Sequence, residues 1–127
     1  MATHNPYITP KLFKFFRELK KNNDREWFEA NKQRYEDEVR TPLLTFIDDF
    51  AESLYKISPH FRADARKVGG SLFRLFRDVR FSKDKTPYKT HAGVHFRHEN
   101  AKNAHAPGFY LHLEPGEVFL DRQSTRL

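Results

Sequence analysis

The spacing of apolar residues changes once along this chain, and that change confines it to few folds. Before His60, apolar side chains recur at three- and four-residue intervals; after it, they alternate. Leu12, Phe15, Phe16 and Leu19 mark one helical face, preceded by Thr9-Pro10, a cap residue with proline at the first helical position. Lys20 and Lys21 suit the negative end of that helix, and Asn22 or Asn23 can stop it. Asn23-Asp24-Arg25-Glu26 has the form of a capping box with Asn23 as cap, opening a second helix with Trp27, Phe28, Asn31 and Tyr35 along one side. Thr41-Pro42 repeats the cap-and-proline pattern and opens a third. Its stripe is Leu43, Phe46, Ile47, Phe50, Ala51 and Leu54, with Pro59 beyond its end.

The second half reads as strands. Gly69-Gly70 is a breaker pair, and Ser71 to Arg77 is expected to be extended, with Leu72, Arg74 and Phe76 sharing a face. From His91 to His98, Ala92, Val94 and Phe96 fall on one face and His91, His95 and Arg97 on the other. Phe109, Leu111 and Leu113 repeat the alternation, opposite Tyr110 and His112. Glu114-Pro115-Gly116-Glu117 fits a tight turn, with Glu117 to Leu120 returning. Helices first and hairpin-linked strands second predict an α+β fold, the N-terminal helices packed on one face of a mostly antiparallel sheet.

A length of 127 residues suits a single domain, 1–127, and 13 Phe residues supply a large apolar payload. No apolar run approaches the roughly 20 residues that span a bilayer, and the N-terminus lacks the pattern of a secretory signal. No cysteine is present, which excludes disulfides and thiolate metal sites. A cytoplasmic protein with no membrane partner is the expectation. The tail Asp121 to Leu127 is atypical, with one apolar residue at its very end. A last strand stopping there would leave its edge unshielded, so the chain is expected to be incomplete at its C-terminus; an ordinary polar tail is the other reading.

Charge is concentrated. Between Arg62 and Lys89 nine Lys or Arg stand against three Asp, so this segment carries the whole net charge of +6. A localised positive field attracts phosphates, nucleic acid or acidic metabolites; a contiguous solvated basic face is the plainer reading. The densest part, Arg74 to Lys89, interleaves rings with Arg74, Arg77 and Arg80. Guanidinium groups offer the planar donor fork that suits carboxylate or phosphate. We therefore assign Arg74, Arg77 and Arg80 as an anion clamp, Asp78 and Asp84 as its orienting carboxylates, and Lys85, Tyr88 and Lys89 as its rim. Asp78, between cations, is expected to stay ionised, which suits orienting a partner better than donating a proton. The competing reading is structural: Asp78 and Asp84 neutralise the arginines and tie down the loop.

Other chemistry is poorly marked. There is no G-x-x-x-x-G-K, G-x-G-x-x-G or G-x-S-x-G, and no H-E-x-x-H. His95 and His112 can meet on one sheet face with His91 nearby. Scattered surface histidines remain the preferred reading, so no metal site is assigned. Trp27 and Phe28 read as core anchors. No catalytic residue and no cofactor is assigned.

Three segments carry a family resemblance. Phe16-x-x-Leu19-x-x-Asn22-Asn23-x-Arg25-Glu26-Trp27-Phe28, with Asn31-Lys32 and Tyr35, is similar to the N-terminal signature of the conserved hypothetical family called domain of unknown function 2461, found in bacteria and some fungi. Arg74-x-x-Arg77-Asp78-x-Arg80-Phe81-Ser82-x-Asp84-Lys85-x-Pro87-Tyr88-Lys89 resembles its central signature, and Gly108 to Gly116 matches its later pattern. The resemblance covers about Thr9 to Leu120. It implies no particular reaction. It does imply that relatives continue past the last strand with a glycine-rich segment, a Trp-Pro element and further helix, from which Asp121 to Leu127 departs.

Three functions fit these residues. The first is an anion- or phosphate-binding site on the arginine segment, with an anionic small molecule or nucleic acid as partner. The second is an enzyme acting on phosphorylated or nucleotide substrates, the arginines stabilising developing charge. The third is an interaction module whose Arg-Asp network is purely structural.

Overall fold

The computed structural model describes residues 7–66, 70–98 and 108–123. Among these residues, α1 (Pro10–Lys21), α2 (Arg25–Tyr35) and α3 (Thr41–Ile57) come first, followed by β1 (Phe61–Arg62), β2 (Ala92–His98), β3 (Gly108–Glu114) and β4 (Glu117–Gln123). The strands form one antiparallel sheet in the order β1-β2-β3-β4. The fold is α+β. No helix among the described residues is long and apolar enough to cross a membrane.

Thr9 caps α1 from an extended backbone, and Asn22 ends it. The start of α2 differs from expectation. Asp24, not Asn23, is the cap, its Oδ1 accepting from the Trp27 N–H at 2.7 Å. Asn23 is thereby left for a long-range contact. Thr41-Pro42 does not open a separate helix either. α2 passes into α3 through a π turn, Glu36–Arg40, and Thr41 is itself helical with its N–H reaching Glu36 O. Pro42 has no N–H to give to the preceding turn, and the wider turn absorbs that break. At its far end α3 stops at Ser58, as the following proline requires.

The helices cover one face of the sheet. Leu12, Phe15, Phe16 and Leu19 of α1 and Leu43, Ile47 and Leu54 of α3 are buried with Ala92, Val94, Phe96 and Leu113 from the strands. Phe50 meets Phe96 edge-on, centroids 5.4 Å apart. Each large apolar side chain taken fully from water contributes about 1.5–3 kcal/mol, so this shared stripe is the main source of stability. Gly116 sits at the turn with φ +84°, a conformation that a Cβ would strain. β4 runs on to Gln123 instead of ending at Leu120; residues 124–127 of the tail, and Gly69 of the breaker pair, lie outside the described residues. Register sets Val118 opposite Leu113 and Leu120 opposite Leu111, on the helix side, yet both stay largely exposed at 58% and 65%.

Ser71 to Arg77 is not a strand. Among the described residues only two isolated bridges form there, Leu72 with Val94 and Phe76 with Tyr88. Leu72 and Leu75 are buried while Phe73, Arg74 and Phe76 are exposed, a spacing of three where alternation predicted two. The segment first joins the β2 edge, with His95 N donating to Ser71 O and Phe73 N to Gly93 O. It then turns away to pair with Pro87 to Lys89, Arg77 N donating to Pro87 O and Lys89 N to Leu75 O. Two partners in succession prevent one continuous ladder. Arg74 lies at the changeover.

Candidate functional site

That changeover separates the three arginines. Arg77 is drawn inward: one of its terminal nitrogens donates to Thr86 O at 3.0 Å and to Thr86 Oγ1 at 2.6 Å, and lies 3.3 Å from Asp84 Oδ2. Hydrogen bonds from Thr86, and then the Arg77 charge, hold the Asp84 carboxyl below the usual carboxylate range. Arg80 is exposed but engaged, its Nε and Nη2 gripping Asp78 Oδ1 and Oδ2 at 3.0 and 2.9 Å. That fork keeps Asp78 ionised, as expected between cations. Each aspartate is therefore bonded to one arginine, and the charge of Arg74 also acts on Asp78.

The assigned rim divides in the same way. Lys85 donates to Val79 O at 2.6 Å and closes the loop on itself. Tyr88 is not on a rim: at 2% exposure its ring lies in the core, stacked on Phe28 with centroids 4.5 Å apart. Asn23 holds the backbone there, its Nδ2 donating to Tyr88 O at 2.9 Å and its Oδ1 accepting from Tyr88 N at 3.1 Å. A side-chain amide matches a peptide in both donor and acceptor, so one residue satisfies both backbone groups. Lys89 alone stays near Arg74, with its ammonium 5.5 Å from the Phe73 ring centre. Burial, with the charge of Arg74 adding to it, pulls Lys89 below its ordinary value.

Arg74 stands apart. It is exposed, and no hydrogen bond or ion pair joins it to another described residue. It lines a pocket of about 730 Å³ between α2 and the 70–76 segment. Phe28, Leu72, Phe73, Leu75 and Phe76 supply apolar wall; Lys32, Arg74 and Arg97 add cations, and Glu29 an anion. Arg40 and Glu36, which also border it, are paired at 2.9 Å. Neither Arg77 nor Arg80 borders it. Of the three assigned arginines, Arg74 lines the pocket, while Arg77 and Arg80 are bonded within the loop.

Sequence reasoning missed the pocket because its walls come from α2 and from a segment 40 residues further on. It also missed Asn23, whose signal was absorbed by the capping pattern. The helix-free face of the sheet gathers a second polar group. His91 and His112 stack with centroids 4.4 Å apart, whereas His95 stacks on Phe73. Burial, and then neighbouring His112, hold His91 below the usual imidazole value, and burial with Arg97 does the same for His95.

Residues 11–121 match the family described as conserved hypothetical protein (DUF2461). The chain belongs to that family. No curated protein and no solved structure matches it. The match spans both the Asn23 clamp and the arginine loop that it holds, so the tie between them lies inside the DUF2461 unit.

Proposed function

We propose that this DUF2461 member binds a small anionic ligand with an apolar or aromatic body, its charged group on Arg74 and its body in the adjoining pocket. The observation that carries this reading is the uncommitted guanidinium of Arg74 on the wall of an aromatic-lined pocket of ligand size. Lys32 and Arg97 would add longer-range attraction, and Lys89 flanks the Phe73 side. A phosphate monoester or nucleotide has this shape: a dianionic head beside a ring that stacks on Phe.

Thermal unfolding with inorganic phosphate, phenyl phosphate, AMP and a short single-stranded oligonucleotide tests it. Phenyl phosphate or AMP should stabilise saturably, by about 2.7 kcal/mol at a hundredfold excess over Kd, and inorganic phosphate much less. Arg74→Gln should weaken binding by about ten- to a hundredfold, the worth of a hydrogen bond to a charged group. Oligonucleotide binding that collapses with added salt would redirect the reading to nucleic acid. If no anion stabilises the protein saturably, the reading fails.

A structural role for the rest of the arginine block is favoured by the bonds that Arg77 makes. Arg77→Gln is expected to lower the melting temperature without changing anion affinity, and Arg80→Gln to change neither. Loss of anion binding in both variants, with melting unaltered, would restore the three-arginine clamp.

A further inference from the structure

β3 carries Tyr110, His112 and Glu114 at alternate positions, so all three project from the sheet face that the helices leave open. The Tyr110 hydroxyl lies 2.9 Å from His112 Nδ1, and Glu114 Oε1 lies 2.7 Å from His112 Nε2. His91, just before β2, lays its ring against that of His112 at an interplanar angle of 26°. One ligand atom from each of His91, His112 and Glu114 falls within 4.8 Å of the other two. All three residues are half-buried, which sets them apart from an ordinary solvated cluster.

We propose that His91, His112 and Glu114 form a three-ligand site for a divalent transition metal, with Zn²⁺ the ion that the donor set fits best. Two borderline imidazole nitrogens with one carboxylate oxygen suit Zn²⁺, whereas Ca²⁺ and Mg²⁺ require oxygen ligands throughout. Tetrahedral Zn²⁺ with bonds of about 2.0–2.1 Å places its ligand atoms roughly 3.3 Å apart. The 2.7 Å contact between His112 and Glu114 would therefore open slightly, the ion replacing the proton held between Nε2 and Oε1. A neutral imidazole carries one proton, so as Nε2 gives up its proton Nδ1 takes one up opposite the Tyr110 oxygen, and the net count is unchanged. Three protein ligands leave the fourth position to water, the arrangement of an open site.

The surroundings support the ligands. With Nδ1–H of His112 donating to the Tyr110 oxygen, Nε2 keeps its lone pair for the metal, and the ring is held in place. Gly93 makes this possible. A Cβ there would lie 2.9 Å from the Tyr110 hydroxyl and 3.0 Å from its Cε1, so only glycine lets the phenol lie across β2. Phe73 stacks on the same phenol, centroids 6.1 Å apart, and its Cδ2 would lie 3.1 Å from that Cβ.

The test is a titration of the full chain, first stripped with chelator, with Co²⁺ followed by Zn²⁺. We expect one equivalent of Co²⁺ to bind with the visible absorption of a low-coordinate nitrogen–oxygen site, one equivalent of Zn²⁺ to bleach it, and the melting temperature to rise. His91→Asn and Glu114→Gln should each abolish the absorption while far-UV dichroism stays native. Tyr110→Phe retains all three ligands and should weaken Zn²⁺ by about 10–100-fold, the usual loss on removing an outer partner. Absence of stoichiometric Co²⁺ uptake by the unaltered chain would overturn the proposal, leaving Tyr110, His112 and Glu114 as a closed hydrogen-bond relay. Unchanged affinity in His91→Asn and Glu114→Gln would overturn it equally. Neither result bears on Arg74, which belongs to another pocket.

Discussion

On the helix-covered face of the sheet, Val94 and Leu113 are almost wholly removed from water; on the opposite face His91, His95, Tyr110 and His112 are only half-buried. β2 and β3, with His91 just before β2, supply both sets, residue by residue in alternation. On the covered side, the apolar area taken from water sets the energetics, and neighbours are interchangeable within limits of volume. On the open side, energetics rest on hydrogen bonds and ring contacts at specified atoms, such as Tyr110 on His112. The first arrangement stabilises strongly and says nothing of function. The second stabilises less, and each of its contacts depends on particular atoms.

If that division is right, the largest loss should come from the covered side. Phe15 is fully buried and meets Phe16, Trp27 and Tyr35, so Phe15→Ala should cost about 3–5 kcal/mol by urea denaturation. A loss below about 1 kcal/mol would mean that α1 is not the centre of the core. Asn23→Ala comes next. It leaves two backbone groups beside buried Tyr88 without their partner, and about 1–3 kcal/mol should be lost. Polar contacts would then rival apolar ones only where they are buried, which refines the contrast.

Gly93→Ala probes the open face directly. Crowding the Tyr110 ring should cost about 1–3 kcal/mol, and amide shifts of β3 should move while those of α1 do not. A neutral outcome would show that the open face is loosely held. The smallest effect is the pH response of His95. Its ring lies against Phe73, opposite Tyr110 and beside Arg97, and burial places its folded pKa below the ordinary 6.5 or so. The unfolded chain then takes up the proton first, so this contribution is present above pH 6.5 or so and is lost as pH falls through the folded pKa. Stability of His95→Gln should vary less with pH between 7 and 5, at roughly these values. An equal slope in both proteins would remove His95 from the account.

Much of the architecture was legible beforehand because periodicity reports burial directly. The faces of α1, α3, β2 and β3 follow from spacing, and the turn at Gly116 from its Pro-Gly pair. Errors arose where a local motif had two meanings. Asn23 and Asp24 are both good caps, and the unused one was recruited across 65 residues to Tyr88. Thr41-Pro42 looks like a helix start but sits inside a continuous helix with a π turn. Leu72 and Leu75 broke the alternation because their segment changes partners midway.

Composition and pattern alone therefore established an α+β chain, the inward sides of its helices and strands, and a basic segment rich in arginine. Those properties depend on near neighbours and on averages over many residues. Which arginine is committed and which is available was settled by the folded arrangement: Thr86 and Asp84 close on Arg77, Asp78 on Arg80, and Arg74 is left at a pocket edge. The meeting of His91 with His112 and Glu114 has the same origin. Hydrogen bonds and ligand sets act over about 3 Å, and no one-dimensional pattern specifies distances between distant parts of a chain to that tolerance.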